Sequence, residues 1–436
     1  MASAEPAPIG DAEAVALFAT LKGRRGIGLA VSGGADSTAL LHLHHRARAL
    51  DGDSPRAVVL TVDHGLRPEA GAEARAVGEL AGRLGYSHRI LEWRGDKPTS
   101  NLQAAARDAR RALLLGAVAD LGLDTLALAH HADDQAETVV MRLARGSGVA
   151  GLAAMARERV ESGVLVARPL LDVPRARLVA TLTAAGQGWF EDPSNGDARF
   201  ERARVRAAAA GLADLGLTRE RLTATARTMA RAAAALDVML AELVGAAVTI
   251  HPGGWARIEA APWARAPEEI RLRLISRLIA AVTGAVHAPR LEACERLDRA
   301  AGAAWASGER WAETAAGALI EVRRGAITIA PEIGRGERRV RLAPGEAARW
   351  FGRRIGLRVT ADGPVEIGHL GLDGRARLAA EGRLGEVGGA SAAIVATAAA
   401  VRVEGAIVAV PGLTEADGGV EIAPPAFAGA SSGGVR

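Results

Sequence analysis

Ile27-Gly28-Leu29-Ala30-Val31-Ser32-Gly33-Gly34-Ala35-Asp36-Ser37-Thr38-Ala39-Leu40-Leu41 decides how this chain folds. Ile27 to Val31 is an apolar run of the length of a buried strand, and Thr38 onward has the pattern of a helix. Two glycines stand between them. A strand that stops at a glycine pair and enters a helix leaves a nest of backbone N–H groups at the helix start, where unpaired amides and the helix dipole both favour an anion. Gly33 and Gly34 permit close backbone approach. Ser32, Ser37 and Thr38 add hydroxyl groups, and Asp36 is a candidate to hold Mg²⁺ on bound phosphates.

Two common phosphate loops are excluded. A Walker loop needs a lysine before its Ser or Thr, and none is present; a dinucleotide fingerprint needs three spaced glycines, and Gly26-Ile27-Gly28 lacks the third. The stretch Ser32-Gly33-Gly34-Ala35-Asp36-Ser37 resembles the SGGxDS loop of the PP-loop ATP pyrophosphatases. That resemblance implies cleavage of ATP to AMP and pyrophosphate, with the AMP activating an oxygen of an acceptor.

The 436 residues suffice for two or three domains, and a hydrophobic content of 49% supports sizeable cores. Aromatics are 3%, so Ala, Leu and Val must fill most of the interior. Lys22 and Lys97 are the only lysines among 54 basic residues; the rest are arginines, which suit phosphate through a planar fork of donors and also serve as solvated helix faces. A net charge of +4 says little about nucleic acid by itself. Cys294 is the only cysteine, which excludes an internal disulfide and any cysteine-based zinc or iron–sulfur site. No signal peptide is expected from the Ala/Pro/Glu-rich start, and no apolar run reaches the ~18–20 residues that span a bilayer. A cytoplasmic enzyme without membrane contact is the expectation.

Strand and helix patterns alternate from about 26 to 190. After the first strand come strands at Ala57–Val62, His88–Trp93, Thr125–Ala129 and Val164–Val166, with helices at 70–85, 101–121 (N-capped by Ser100 or Asn101) and 133–143. Apolar strands buried on both faces and joined by helices predict a doubly wound parallel α/β sheet, with ligands beyond the strand carboxyl ends. Three polar clusters lie at such ends: Ser32–Ser37, Asp63-His64-Gly65-Leu66-Arg67, and His130-His131-Ala132-Asp133-Asp134-Gln135-Ala136-Glu137-Thr138. The pattern is helical from about 210 to 310, with long helices at 219–244 and 267–283, then a hairpin turning at Arg323-Arg324-Gly325. Residues 340–415 read as short antiparallel strands, and a Gly/Ser/Ala-rich tail from Phe427 to Arg436 is expected to fray. The expected domains are 1–208, catalytic; 209–332, mainly helical with the hairpin; and 333–436, small and β-rich.

The His130–Thr138 cluster admits two readings. Asp133 and Glu137 share a helix face, and Asp134 and Glu137 are also neighbours, so the acids suit a metal or a cationic substrate while His131 moves a proton or meets phosphate. The acids also suit a helix start through the dipole, but that leaves the two histidines unexplained. His42, His44, His45, His88 and His251 stand alone and are assigned to packing.

The second and third clusters resemble the VDHGLR and HHxDDQxET motifs of the tRNA(Ile)-lysidine synthetases. Further motifs follow in the family's order: Asn101 through Arg107 and Arg110, Arg145-Gly146-Ser147-Gly148, Arg168-Pro169-Leu170-Leu171, Asp192-Pro193-Ser194-Asn195 and Phe200-Glu201-Arg202-Ala203-Arg204-Val205-Arg206. The resemblance covers about 26–206; beyond 210 it extends only to layout. Arg111 replaces the family's usual Tyr and Ala203 its usual Asn. Both changes touch packing or an RNA contact, and neither removes a group the implied chemistry needs.

The resemblance implies a ligase. Such an enzyme adenylates the C2 oxygen of the first anticodon cytidine of tRNA(Ile) with a CAU anticodon, using ATP and Mg²⁺. The ε-amine of free L-lysine then displaces AMP. Applied to this sequence, Ser32, Gly33, Gly34, Ala35, Asp36, Ser37, Asp63, His64 and Gly65 bind ATP, and Asp36 and Asp134 hold Mg²⁺. Asp133, Asp134, Glu137, Arg107 and Arg110 bind lysine or metal, with the division among the acids left open. Asp36, His131, Arg202 and Arg206 are the catalytic candidates. The Arg-rich helix at 219–231 and the C-terminal segment are candidate phosphate grips, and Trp189, Phe190, Trp350 and Phe351 are the few stacking candidates. A homodimer is left open. The rivals are another PP-loop tRNA enzyme such as a thiolase, which a lone Cys294 argues against, an amidotransferase-linked synthetase, which would need a glutaminase domain or partner, and a catalytically silent RNA-binding module, which intact Asp36, His131, Asp134 and Glu137 argue against.

Overall fold

The computed structural model describes residues 6–52, 54–65, 69–95, 97–98, 102–191, 201–285, 288–334, 339–350, 355–360, 362–414 and 420–423. The chain divides into two compact units, Met1–Ala233 and Ala234–Arg436.

The first unit runs α1 (Asp11–Phe18), β1 (Ile27–Ala30), α2 (Ala35–Leu50), β2 (Ala57–Asp63), α3 (Ala70–Arg83), β3 (Ser87–Glu92), α4 (Leu102–Asp120), β4 (Thr125–Ala127) and α5 (Ala132–Ala144). It continues through α6 (Val149–Leu152), β5 (Glu158–Glu161), β6 (Val164–Ala167), α7 (Arg175–Ala184), α8 (Glu201–Ala207), α9 (Ala209–Asp214) and α10 (Arg219–Ala247), inside which the boundary between units falls. The sheet order is β3-β2-β1-β4-β6-β5. Strands β1, β2, β3, β4 and β6 are parallel, giving the doubly wound architecture that the alternation of patterns predicts. Two strands depart from that expectation. The third, β3, is a sheet edge with four of its six residues exposed, so it is not buried on both faces. The short β5 pairs antiparallel with β6 across a tight turn at Ser162 and Gly163, because so brief a link leaves no room for a crossover helix.

Both faces of the central strands are covered. Ile27, Leu29 and Val31 point into a core with α1, α2, α3 and α7. Ala30, Val58, Leu60 and Leu126 face Leu114, Ala117 and Val118 of α4. Each fully buried Leu or Ile here is worth about 1.5–3 kcal/mol. Gly28 is part of this packing: a Cβ there would lie 2.8 Å from Leu60 and 2.9 Å from Val118, so α4 sits directly on the strand backbone. Because β2 and β4 flank β1 on opposite sides, the connections that leave β1 and β4 diverge and open a crevice at their carboxyl ends.

The second unit contains β7 (Val248–Ile250), β8 (Ala256–Glu259), α11 (Ala260–Arg265), α12 (Glu268–Thr283), α13 (Leu291–Ser307), β9 (Trp311–Ala315), β10 (Ala318–Arg323) and β11 (Ala326–Pro331). Its five-stranded sheet, β7-β8-β11-β10-β9, packs against α12 and α13 through Leu274, Ile275, Leu278, Leu297, Ile320 and Ile329. The expected hairpin is present, with Arg323 paired to Ala326. Next come β12 (Val340–Leu342), β13 (Ala347–Trp350), β14 (Ile355–Val359), β15 (Val365–His369), α14 (Gly371–Ala380), α15 (Ala392–Ala396), β16 (Ala399–Val403), β17 (Ala406–Ala409) and β18 (Val420–Ala423). These strands are antiparallel, as their short alternating runs predict. Helices α14 and α15 depart from that reading; glycines at 371 and 374 mask α14, and Gly374 is there because a Cβ would crowd Leu370 and Ile407 at 2.9 Å. One apolar cluster joins Trp255 and Ala330 to Leu370, Leu378 and Ile394, so residues on both sides of 333 share a core. Among the described residues, no helix is long and apolar enough to cross a membrane.

Replacing Gly28 by Val is expected to destabilise the protein by about 1–3 kcal/mol through overpacking, read as a lower denaturant midpoint with an unchanged slope.

Candidate active site

The β1–α2 turn is built to leave backbone donors free. Gly34 is the N-cap of α2 and supplies no side-chain cap, so the amides of Ala35, Asp36 and Ser37 have no partner within the helix. The hydroxyls hold the loop in shape: Ser37 Oγ donates to Gly34 O (3.0 Å) and accepts from Ser32 N–H (3.1 Å), and the two hydroxyls lie 3.2 Å apart. Gly33 has φ +88°, and a Cβ there would lie 2.8 Å from the Phe190 ring, so conformation and space both require glycine. Phe190 secures the turn from outside through its N–H, which donates to Gly33 O at 2.9 Å.

At β4 the arrangement is reversed. Here α5 is capped, and by a histidine. Asp134 N–H donates to His131 Nδ1 (3.4 Å) while His131 N–H donates to Asp134 Oδ2 (3.2 Å). The other ring nitrogen, Nε2, lies 3.5 Å from Asp36 Oδ2 and 3.4 Å from Asp134 Oδ2. His131 thus links the start of α2 to the start of α5. A neutral ring with its proton on Nε2 serves both contacts. Protonating Nδ1 as well gives up the cap and gains attraction to three carboxylates, Asp133 included at 3.7 Å.

The charges of the site depend on one another. Burial works against a charged His131, but the hydrogen bond and charge of Asp36, with Asp134 and Asp133, outweigh it and raise its pKa above the ordinary value. Burial likewise opposes ionisation of Asp36, yet His131, Arg175 and Arg206 together hold its pKa below the usual range; Arg175 Nε lies 3.2 Å from Asp36 Oδ1. Glu137 goes the other way. Burial pushes it up, and Arg206 and Arg202 only partly restore it. Arg206 Nε donates to Glu137 Oε1 at 2.5 Å, and its Nη2 lies 3.5 Å from Asp134 Oδ1. Arg202 reaches the same pair at 3.3 Å and 3.7 Å. The two acid side chains are about 10% exposed and the two arginines about 40%, so the acids form the floor and the guanidinium groups the wall above it.

Asp133 is differently engaged. Its Oδ2 accepts from the first-turn N–H of Arg175 in α7 (2.8 Å), and Arg219 approaches its Oδ1 at 3.5 Å. Arg168 Nε donates to His130 Nδ1 (3.2 Å), and burial with the nearby Arg168, Arg202 and Arg110 charges pushes His130 down to about 4, a neutral ring. At the end of β2, Asp63 Oδ1 accepts from Gly65 N–H (2.8 Å), forming a turn that places His64 on the cleft with its Nδ1 buried and without a partner. Arg107 and Arg110 also line the cleft and form no ion pair among the described residues; burial lowers the pKa of Arg110, whose charge in turn disfavours protonation of His64. Leu66, Arg67, Asn101, Asp192 to Asn195, Phe200, Phe351 and the tail from Phe427 lie outside the described residues, as does the side chain of Trp350.

One cleft of about 2250 Å³ in the first unit collects these groups, from the β1–α2 turn to Arg219. Among the described residues, no three His, Cys, Asp or Glu side chains are gathered into a ready metal cage.

Residues 10–210 match the family of PP-loop domains. Over 348 residues the chain is 44% identical to the tRNA(Ile)-lysidine synthase of Bradyrhizobium diazoefficiens, covering 76% of this chain and 96% of that one. The chain belongs to the tRNA(Ile)-lysidine synthase family. The Methylobacterium sp. member is 47% identical over 70% of this chain and 89% of its own. The Rhodopseudomonas palustris member is 53% identical over 55% and 69%.

Within this lysidine synthase fold, sequence reasoning missed Arg175, and it named Arg168 only within a motif and Arg219 only within an Arg-rich helix, because the partners of all three are far away along the chain. Pro174 just before Arg175 marks a helix start and was the available signal. The backbone role of Phe190 left no signal at all.

A pH titration tests the link between the helices. Having a raised folded-state pKa, His131 adds stability that is fully present below its ordinary value of 6.5 and is lost as pH rises through the folded value. Asp36, lowered, adds stability present above its ordinary 3.8 and lost as pH falls through the folded value. Asp36→Asn is expected to bring the His131 pKa down, read from its ring resonances by NMR; an unmoved value refutes the coupling.

Proposed function

We propose that this chain ligates lysine to C2 of the wobble cytidine in tRNA(Ile) bearing a CAU anticodon, through an adenylated cytidine, with release of AMP and pyrophosphate. The observation that carries the reading is the meeting, in one cleft, of an uncapped helix start shaped for phosphate with a floor of two buried acids. Family membership supplies the substrate. Residues 1–208 are assigned the chemistry, and 209–332 and 333–436 the grip on tRNA. The cytoplasm is the proposed location.

In this reading the amides of Ala35, Asp36 and Ser37 take the β- and γ-phosphates and stabilise the leaving pyrophosphate, being already oriented when charge develops. C2 of cytidine becomes a usable electrophile only once its oxygen is a phosphate ester. His131, touching Asp36 on one side and capping α5 on the other, faces the α-phosphate region and can pass a proton there. Asp36 and Asp134 fit Mg²⁺: they are hard oxygen donors, Asp36 Oδ1 is buried with the Arg175 charge beside it but no hydrogen bond, and magnesium commonly uses one or two carboxylates plus substrate phosphates in place of an all-protein cage. When bound, the ion offsets phosphate charge.

Lysine must lose an ε-ammonium proton before it attacks. Asp134 and Glu137 suit that ammonium, and Glu137, its basicity raised by burial, is the assigned proton acceptor. Arg202 and Arg206 then turn from the acids toward phosphate, for which their exposed tips have room. A thiolase reading gains nothing from Cys294, which is buried in the core of the second unit and whose thiol is made less acidic by burial.

The deciding assay supplies ATP, Mg²⁺, labelled lysine and unmodified tRNA(Ile) with a CAU anticodon, and counts label in RNA. Equal labelling with another amino acid, or label retention without tRNA, overturns the proposal. Asp36→Ala is expected to lower pyrophosphate release by about 10²–10³-fold with the circular dichroism spectrum unchanged. Glu137→Gln is expected to retain pyrophosphate release while lysine transfer falls by about 10²–10⁴-fold.

A further inference from the structure

The second unit carries a separate basic pocket of about 610 Å³, bordered by the β10–β11 hairpin, α14 and the segment 386–392. Arg323, Arg324 and Arg375 line it, against a single acid, Glu386. Among the described residues none of these three guanidinium groups has an ion pair or hydrogen bond, and Arg323 Nε is buried with no partner. That is unlike Arg271 of the same unit, held by both oxygens of Asp298 at 2.8 and 2.9 Å. An unmet buried donor is destabilising until an acceptor reaches it. The turn is itself strained: Arg324 has φ +50° at a position that Asn would occupy more easily. Across the pocket Gly388 and Gly389 have φ +57° and +78°, and nothing lies within 4 Å of where their Cβ atoms would be. Their exposed amides donate to no backbone carbonyl among the described residues.

We propose that this pocket binds a backbone phosphodiester of the RNA substrate. Among the described residues, three unpaired arginines and two open amides face a single carboxylate, Glu386, leaving donors in excess, and the guanidinium fork fits phosphate oxygens in pairs. The pocket is lined by no aromatic side chain on which a base would stack, so the contact reads the backbone and is indifferent to sequence. The proposal rests on the tRNA reading above for the identity of the polymer.

The test uses the full chain with Arg324→Asn and Arg375→Gln, singly and together. Asn suits the left-handed turn, so that variant folds at least as well as the parent. Binding of unmodified tRNA(Ile) is followed by fluorescence anisotropy between about 50 and 200 mM salt. The double variant is expected to bind about tenfold more weakly, and the slope of log K against log salt to shrink by about 1 for each phosphate that the arginines no longer neutralise. Affinity for an unrelated tRNA falls by the same factor. Inorganic phosphate shifts the amide resonances of Gly388 and Gly389 in the parent and not in the double variant. Unchanged RNA affinity and salt slope overturn the site, as does binding of polyglutamate at the pocket with RNA affinity unaffected. Lysidine formed normally by a parent whose RNA affinity the substitutions leave intact defeats this site alone. A parent that makes no lysidine but whose RNA affinity falls as expected defeats the catalytic reading and keeps the site.

Discussion

Three backbone N–H groups at the start of α2 have no carbonyl to bond to, and the rest of the first unit is arranged around keeping them that way. A side-chain cap would satisfy one of them, yet Gly34 stands at the cap and Ser37 turns its hydroxyl back to Gly34 O. Loop rigidity therefore comes from bonds that leave the amides alone. The strand beneath is buried on both faces, so the turn cannot relax into another conformation without disturbing two cores.

The neighbouring helix shows the opposite solution. Helix α5 starts one strand away and is capped: His131 accepts from the Asp134 N–H and Val173 O from the Ala132 N–H, so two of the positions that α2 leaves open are used here. Fewer free donors are left for an anion at this helix start than at that of α2. The cap also gives His131 a fixed orientation, with its second nitrogen held toward Asp36. Structural and chemical readings of this histidine are not alternatives, because capping is what aims it.

Beyond these two turns the site is a problem in charge balance. Asp134 and Glu137 are buried, and Arg202 and Arg206 pair with both of them from α8. In the proposed reaction the lysine ammonium competes for the same oxygens, which would make its binding and the release of the arginines one event. For Glu137, burial favours the protonated acid and Arg206 and Arg202 the ionised one, and burial has the larger share.

Local pattern was enough for the parallel sheet, the glycine turn, the acids of the His130–Thr138 stretch and the hairpin at Arg323–Gly325, since each is written within about a dozen consecutive residues and depends on short-range sterics and periodicity. The exposed edge strand β3, the antiparallel β5 and the helices α14 and α15 were not legible, because edge position and helix packing depend on neighbours far along the chain. The same holds for the site. Asp36, His131, Asp134 and Glu137 were visible as residue types at strand ends. That Asp133 caps α7, that Arg168 holds His130 neutral and that Phe190 clamps Gly33 became apparent only when segments tens of residues apart met at the crevice between β1 and β4. Sequence alone determined which groups are available and where a glycine turn opens a helix start; tertiary structure decided which of them are already spent on one another, since hydrogen-bond partners and desolvation are properties of the packed chain.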